Sequence, residues 1–511
     1  MYTPNKNNAL IAVFLVVSVS VLAACSTTGG GQTYRSHMQS GKSALADVPG
    51  ETYAPIEENV AKQVKMEPVS TFSIDVDTAA YANVRRFINN GHLPPPNAVR
   101  IEEMVNYFDY NYAPPSEDDE PFSVTTEIGP DPWSGGSYLL HIGIKGYEPA
   151  LDAHLARNLV FLLDVSGSMD APNKLELLKK SLRLLVNQLR SQDRVAIVVY
   201  AGASGLALPS TPGNHRHDII TALEQLHSGG STNGGEGIQL AYSIAQENFV
   251  KDGVNRVILA TDGDFNVGVT SNTALKQLIK QKNRSGVGLT VLGFGTGNYN
   301  DRMLEEISNA GDGNAAYIDT LQEAQKVLVD EIDATMQTIA RDTKIQIEFN
   351  PDQVSSYRLI GYENRMLKRE DFKDDRVDAG DVGAGNTVTA LYEITLNDGL
   401  RYQKAKSTYT KHDNEIGLLK IRYKRPDESV SREMVHALYK KDIENSLSQT
   451  SDNFRFSAAV AAFGQRLRNS NQIGEFDFAD ILALARESRG NDAYGYRAEF
   501  MKLVNLSNSL N

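Results

Sequence analysis

Between Arg157 and Arg341 the chain alternates short unbroken apolar runs with longer stretches carrying an apolar residue every three or four positions. The runs "NLVFLLDVS", "RVAIVVYAG", "RVILATDGD", "GLTVLGFG" and "AAYID" read as strands. Between them lie helical segments, among them "KLELLKKSLRLLVNQL", with Leu175, Leu178, Leu182, Leu185 and Leu189 on one face. Helices are also expected near Asp218–Leu226, Gly235–Phe249, "ALKQLIKQK", "DRMLEEISNAG" and "LQEAQKVLVDEI", and "LALPS" reads as a short edge strand. Strands made of continuous Val, Ile and Leu are buried on both faces, which requires helices on either side of a parallel sheet. Right-handed crossovers then make the fold class α/β, a doubly wound, mostly parallel, Rossmann-like sheet.

The flanking segments follow other periods. "TFSIDVD" alternates like a strand, and Asp77 or Thr78 can cap a helix presenting Tyr81, Val84, Phe87 and Ile88, stopped at Gly91. A second short helix turns Ile101, Met104, Val105 and Phe108 inward, and strand patterns return at Phe122–Ile128 and Tyr138–Ile144. The acidic run Glu117–Glu120 reads as solvated loop, and the Asp75/Asp77 pair as a strand end and helix cap. After Arg341, "TKIQIEFN", "SSYRLIGYE", "NTVTALYEITL" and "GLLKIRYKR" alternate with period two, the pattern of a half-exposed antiparallel sheet. Pairing of these strands with Phe122–Ile144 would make the α/β part an insertion into one β-sandwich. The end of the chain is helical at Phe454–Leu467, Phe478–Ser488 and Arg497–Val504.

Composition changes the picture mainly at the N-terminus. Lys6 followed by the apolar Ala9–Ala24 reads as a secretion signal, and the run is short of the roughly 20 residues a spanning helix needs. Cys25, the one cysteine of the chain, follows Leu22-Ala23-Ala24 and has no partner for an internal disulfide. This resembles the lipobox of bacterial lipoproteins, which implies cleavage, acylation of Cys25 and a lipid anchor in the cell envelope. Ser26 at the next position resembles the pattern that directs such proteins to the outer membrane, facing the periplasm. The Gly/Ser/Thr-rich stretch that follows is a tether. The expected divisions are 1–24 signal, 25–65 tether, 66–156 an N-terminal α+β region, 157–341 the α/β domain, 342–430 a β-rich region and 431–511 a helical region. Across 511 residues the net charge is -13, which excludes the basic footprint of a nucleic-acid binder.

The candidate chemistry sits where the strands end. In "LVFLLDVSGSMD" a buried strand meets Asp164, Ser166 and Ser168 on alternate positions, with Gly167 allowing the turn. Thr232 lies in the Gly-rich "SGGSTNGG" before a helix, and Asp262 ends the strand "ILATDGD". All five offer oxygen, which suits Mg²⁺ or Mn²⁺, or Ca²⁺. Asp-x-Ser-x-Ser, then a Gly-Gly-Ser-Thr loop, then Thr-Asp-Gly, resembles the metal-ion-dependent adhesion site of von Willebrand factor A (vWA) domains. The resemblance covers roughly Arg157 to Arg341. It implies that Ser166, Ser168 and Thr232 contact the cation, that Asp164 and Asp262 act directly or through water, and that a partner protein's Asp or Glu completes the coordination. The chain around this domain is similar to bacterial vWA lipoproteins, with an N-terminal region ("STFSIDVDTAAYANVRRFINNGHLPP") and a C-terminal domain ("FRFSAAVAAFGQRLRNS") of the same arrangement.

Three alternatives compete with this non-enzymatic binding module. A metal-assisted hydrolase would need a base, and the Gly-x-Ser-x-Gly elbow is absent from the sequence; His215, His217 and His227 read as surface residues. In "GFGTGN" Asn298 stands where a dinucleotide fingerprint has its third glycine, so a plain strand-to-helix turn is the better reading. A structural envelope lipoprotein with an inactive site would share the architecture. Ser166 and Ser168 acting only as helix caps would account for one hydroxyl and not for five oxygen groups at three strand ends.

Overall fold

The computed structural model describes residues 51, 53–74, 77–115, 120–148, 155–231, 234–263, 272–296, 300–397, 414–426 and 428–511. The signal segment, Cys25, Asp75, residues 117–119 of the acidic run and Thr232 lie outside the described residues. In chain order the elements begin with β1 (Lys62–Gln63), β2 (Val69–Ser73), α1 (Ala79–Asn89), α2 (Ile101–Asn106), β3 (Phe122–Pro130) and β4 (Tyr138–Gly146). The α/β layer follows with β5 (Arg157–Asp164), α3 (Leu175–Gln188), β6 (Arg194–Tyr200), β7 (Ser204–Pro212), α4 (Arg216–Glu224) and α5 (Gly234–Glu247). It continues through β8 (Val254–Thr261), α6 (Asn272–Asn283), β9 (Gly288–Phe294), α7 (Asp301–Ala310), β10 (Ala315–Ile318), α8 (Leu321–Gln325) and α9 (Ile332–Met336). The chain closes with β11 (Thr338–Phe349), β12 (Val354–Ile360), β13 (Gly380–Gly383), β14 (Thr387–Leu396), β15 (Glu415–Lys424), β16 (Arg432–Tyr439), α10 (Asp452–Leu467), α11 (Phe478–Glu487) and α12 (Tyr496–Leu510).

Among the described residues the central sheet has the order β10-β9-β8-β5-β6-β7, parallel throughout except for the antiparallel edge pair β6–β7. Strand β5 shows why it lies in the middle. Leu159, Phe161 and Leu163 pack into one core with α3, α4 and α8, while Val160 and Leu162 pack into another with α5, α6 and α7. With both faces apolar, no register leaves the strand half-exposed, so helices must cover both sides. The strand order turns at β5, whose neighbours β8 and β6 carry the chain away in opposite directions. Crevices at such switch points, beyond the carboxyl ends of the strands, are where doubly wound sheets bind ligands.

The expected pairing of the flanking strands is present. β14 runs antiparallel to β4 from Thr387↔Lys145 to Ile394↔Tyr138, in a sheet ordered β1-β12-β14-β4-β3. A second sheet, β13-β11-β15-β16 with β2 also on β11, faces it across a core that includes Phe72, Ile142, Ile345, Ile347, Tyr392, Leu419 and Ile421. The α/β layer is therefore an insertion between β4 and β11. β16 carries the second sheet past residue 430, so the helices start only at Asp452.

The helical end packs α10, α11 and α12 on α1 and α2 through Phe108, Phe456, Phe463, Phe500 and Leu503. α1 is buried on almost every side, because Ala79 and Ala82 join the core of the central sheet while Tyr81, Val84 and Ile88 join the helical core. Its start differs from the local capping expected. Thr78 stands at the N-cap without a side-chain bond, and the Ala80 amide donates to Glu103 of α2 at 2.8 Å. Asp77 accepts from the Ala315 amide at 3.1 Å and from Arg365 at 3.2 Å. Tertiary partners have taken over roles that a local reading assigns to chain neighbours.

Between the α/β layer and the sandwich lies a cavity of about 220 Å³ whose lining includes Asp77, Asp312, Asp378, Asp381 and Arg365. Burial, reinforced by the charge of Asp312, pushes the Asp381 carboxyl up to about 8. A carboxyl whose folded pKa exceeds its unfolded value near 3.9 keeps its proton longer in the native state. Its contribution to stability is therefore present at low pH and is lost as pH rises from about 4 to about 8. Asp381→Asn, which retains an acceptor for the Asp342 amide at 3.2 Å, is expected to flatten that fall. Denaturant midpoints at pH 5 and pH 9 check this; equal pH dependence in both proteins would refute it.

Candidate metal centre

Asp164 ends β5, is fully buried and is held from three directions. Its Oδ1 accepts from the Ser166 amide at 2.9 Å, and its Oδ2 accepts from the Tyr200 hydroxyl at 3.1 Å. The Thr261 hydroxyl at the end of β8 lies 3.5 Å from the same Oδ2. Burial pushes the Asp164 carboxyl up to about 6; hydrogen bonds from Ser166 pull it back, while the charge of Asp262 adds to the rise. The two carboxylates thus sense one another across the β5–β8 gap, at the switch point of the sheet.

The turn after β5 is anchored by Met169, which is fully buried, and it brings the Ser166 and Ser168 hydroxyls to 2.9 Å of each other. Ser166 is buried and Ser168 is exposed, so this pair connects the buried carboxylates to the surface. Neither hydroxyl is spent on capping. Ser166 precedes the 3₁₀ turn Gly167–Asp170 without a side-chain bond to it, and α3 is preceded by Lys174, again without a side-chain cap. The bland account of the serines is therefore the weaker one.

The Gly-rich loop before Thr232 docks onto this turn. The Gly167 amide donates to the Gly230 carbonyl at 3.0 Å, and the Gly229 amide donates to the Val165 carbonyl at 2.8 Å. Gly230 adopts φ +83°, a conformation that side chains disfavour, and a Cβ there would lie 3.3 Å from the Gly202 amide nitrogen. Ser228 donates to Asp170 at 2.7 Å and ties the loop down a second time. Of the five residues expected from the sequence, the structure brings Asp164, Ser166, Ser168 and Asp262 to neighbouring strand ends; Thr232 is not described.

Two participants were missed by sequence reasoning. Tyr200 ends β6 as part of an ordinary apolar run, with nothing local to distinguish it. Lys174 reads as one more polar residue before a helix, yet its Nζ donates to Asp262 at 2.8 Å. His215, His217 and His227 are exposed, as expected, and residues 297–299 of "GFGTGN" are not described.

The donor chemistry fits a hard divalent cation. Among the described residues, two buried carboxylates and two hydroxyls offer oxygen only, and one ammonium leaves those side chains with one net negative charge. Burial is the main reason the Asp164 carboxyl is raised, and the nearby charge of Asp262 adds to it.

Comparison with known proteins agrees with this architecture. Residues 158–331 match the von Willebrand factor type A domain, residues 47–141 match a family described as von Willebrand factor, and residues 334–510 match one described as Uncharacterized protein YfbK, C-terminal. Uncharacterized protein YfbK of Escherichia coli (strain K12) is 45% identical over 474 residues, 90% of this chain and 81% of that protein. Inter-alpha-trypsin inhibitor heavy chain H3 of Homo sapiens is 22% identical over 264 residues, 47% of this chain but only 29% of its own length. Among solved structures, a von Willebrand factor type A protein from Catenulispora acidiphila is 14% identical, covering 75% of this chain and 89% of its own, with a TM-score of 0.40.

Proposed function

The chain belongs to the YfbK family of von Willebrand factor type A domain proteins, and on that premise we propose that it is a membrane-tethered, divalent-cation-dependent protein-binding module rather than an enzyme. The observation that carries this reading is the pair of Ser166 and Ser168 hydroxyls, 2.9 Å apart and unused for capping, on the turn that follows Asp164 and beside β8, which Asp262 directly follows. Ser166, Ser168 and Thr232 would hold Mg²⁺, or Mn²⁺ or Ca²⁺, with Asp164 and Asp262 supplying the charge. A bound cation of this kind supplies a Lewis-acidic centre to which an Asp or Glu of a partner protein can bind.

The side chains of this chain set the terms. Neutral hydroxyls contribute oxygen without neutralising charge, so an external carboxylate remains attractive. Ser168, being exposed, is open to solvent and a natural neighbour of an incoming group. Acylation of Cys25 would anchor the protein in the envelope, at the outer membrane facing the periplasm, with the following tether setting its reach.

Ser168→Ala is expected to abolish Mg²⁺ binding measured by titration calorimetry while leaving the circular dichroism spectrum intact. Ser168 is exposed and its hydroxyl bonds only to Ser166 among the described side chains, so the fold should not depend on it. A variant that binds Mg²⁺ as tightly as the wild type would overturn the ligand assignment.

A further inference from the structure

One positive charge is built into the oxygen cluster. Lys174 is 7% exposed, and its Nζ lies 2.8 Å from Asp262 Oδ2, with the Asp262 side chain itself fully buried. The ammonium is aimed by packing. Its aliphatic stem crosses Gly295 so closely that a Cβ there would lie 2.3 Å from Lys174 Cε and 2.5 Å from Cγ. Gly295 is in turn fixed by its φ of +76° and by its carbonyl, which accepts from the buried Tyr317 hydroxyl at 2.5 Å. Strand β9, which ends beside Gly295, and the turn before α3 thus cooperate to seat one lysine against one carboxylate.

Resting on the cation-binding reading, we infer that Lys174, through its ion pair with Asp262, sets the net charge of the metal centre. Asp164 and Asp262 together carry two negative charges, and Lys174 cancels one. A divalent cation entering this set leaves an excess of one positive charge, where two unopposed carboxylates would leave none. Lys174 therefore weakens retention of the cation and strengthens its demand for an external anion, the carboxylate of a partner. The effect acts over a few ångströms in a buried setting, where charge–charge interactions are poorly screened. Before a cation arrives, the same ammonium stabilises the buried Asp262 carboxylate.

The test is Mg²⁺ titration calorimetry on the wild type, Lys174→Met and Lys174→Gln at one ionic strength, with thermal unfolding of each metal-free protein. Both variants are expected to bind Mg²⁺ at least tenfold more tightly than the wild type. The metal-free Met variant is expected to unfold at lower temperature, and the Gln variant to recover part of that loss, since its amide can still donate to Asp262. A purely structural lysine would lower the unfolding temperature and leave the Mg²⁺ dissociation constant within twofold of wild type in both variants; that result overturns the inference while the cation site stands. No saturable Mg²⁺ binding by the wild type would overturn the cation reading and this inference with it.

Discussion

Replacing Arg85 with alanine is expected to remove about 3–5 kcal/mol of folding stability, the usual consequence of deleting one partner from a buried ion cluster. Arg85 sits in α1 with a fully buried side chain. Its Nε donates to Asp319 at 2.8 Å, Nη2 donates to Glu323 at 2.7 Å and also to Asp319, and Nη1 donates to Tyr107 at 3.0 Å and Glu499 at 3.1 Å. One guanidinium thereby joins the end of β10 and the start of α8 to α12 at the far end of the chain. Burial pushes the Glu323 carboxyl up and Arg85 pulls it back, so without the arginine Glu323 is left as a buried charge beside Asp319. Arg85→Lys should lie between the two, because an ammonium with three donors cannot bond all four acceptors that the planar guanidinium fork reaches. Denaturant unfolding checks this, with a fall in midpoint at unchanged slope as the expected result. A loss below about 1 kcal/mol for the alanine variant would place the cluster among the weak surface pairs.

Asp164→Asn is expected to have an opposite pair of effects: loss of at least 100-fold in Mg²⁺ affinity, and a metal-free protein at least as stable as the wild type. The asparagine retains an acceptor for the Ser166 amide and can bond the Tyr200 hydroxyl, while removing a charge that the fold disfavours, as the carboxyl raised to about 6 indicates. At Mg²⁺ a hundredfold above the wild-type dissociation constant, ligand linkage adds about 2.7 kcal/mol to the wild type and almost nothing to the variant. Unfolding curves with and without MgCl₂ separate the two terms. Equal Mg²⁺-dependent shifts in both proteins would remove Asp164 from the metal centre.

The architecture was largely legible along the chain because it rests on local periodicity. The unbroken run of β5 specified burial on both faces, and the period-two runs after Arg341 specified a second, antiparallel layer. The return of that layer to Phe122–Ile144 was an expectation that no pattern along the chain fixed, and the structure realises it as β14 on β4. Of the oxygen-bearing residues singled out along the chain, Asp164, Ser166, Ser168 and Asp262 come to neighbouring strand ends, because strand ends and Gly-containing turns place alternate residues on one side. Capping was misjudged at α1, where Glu103 from another helix takes the Ala80 amide.

What only the tertiary structure decided is the balance of charge. Lys174 meets Asp262 across 88 residues, and Arg85 meets Asp319 across 234 and Glu499 across 414. No periodicity encodes such meetings, because a long flexible cation can serve any carboxylate that packing brings near it. Hydrophobic pattern chooses which faces are buried, and the ionic partners follow from where those faces come to rest.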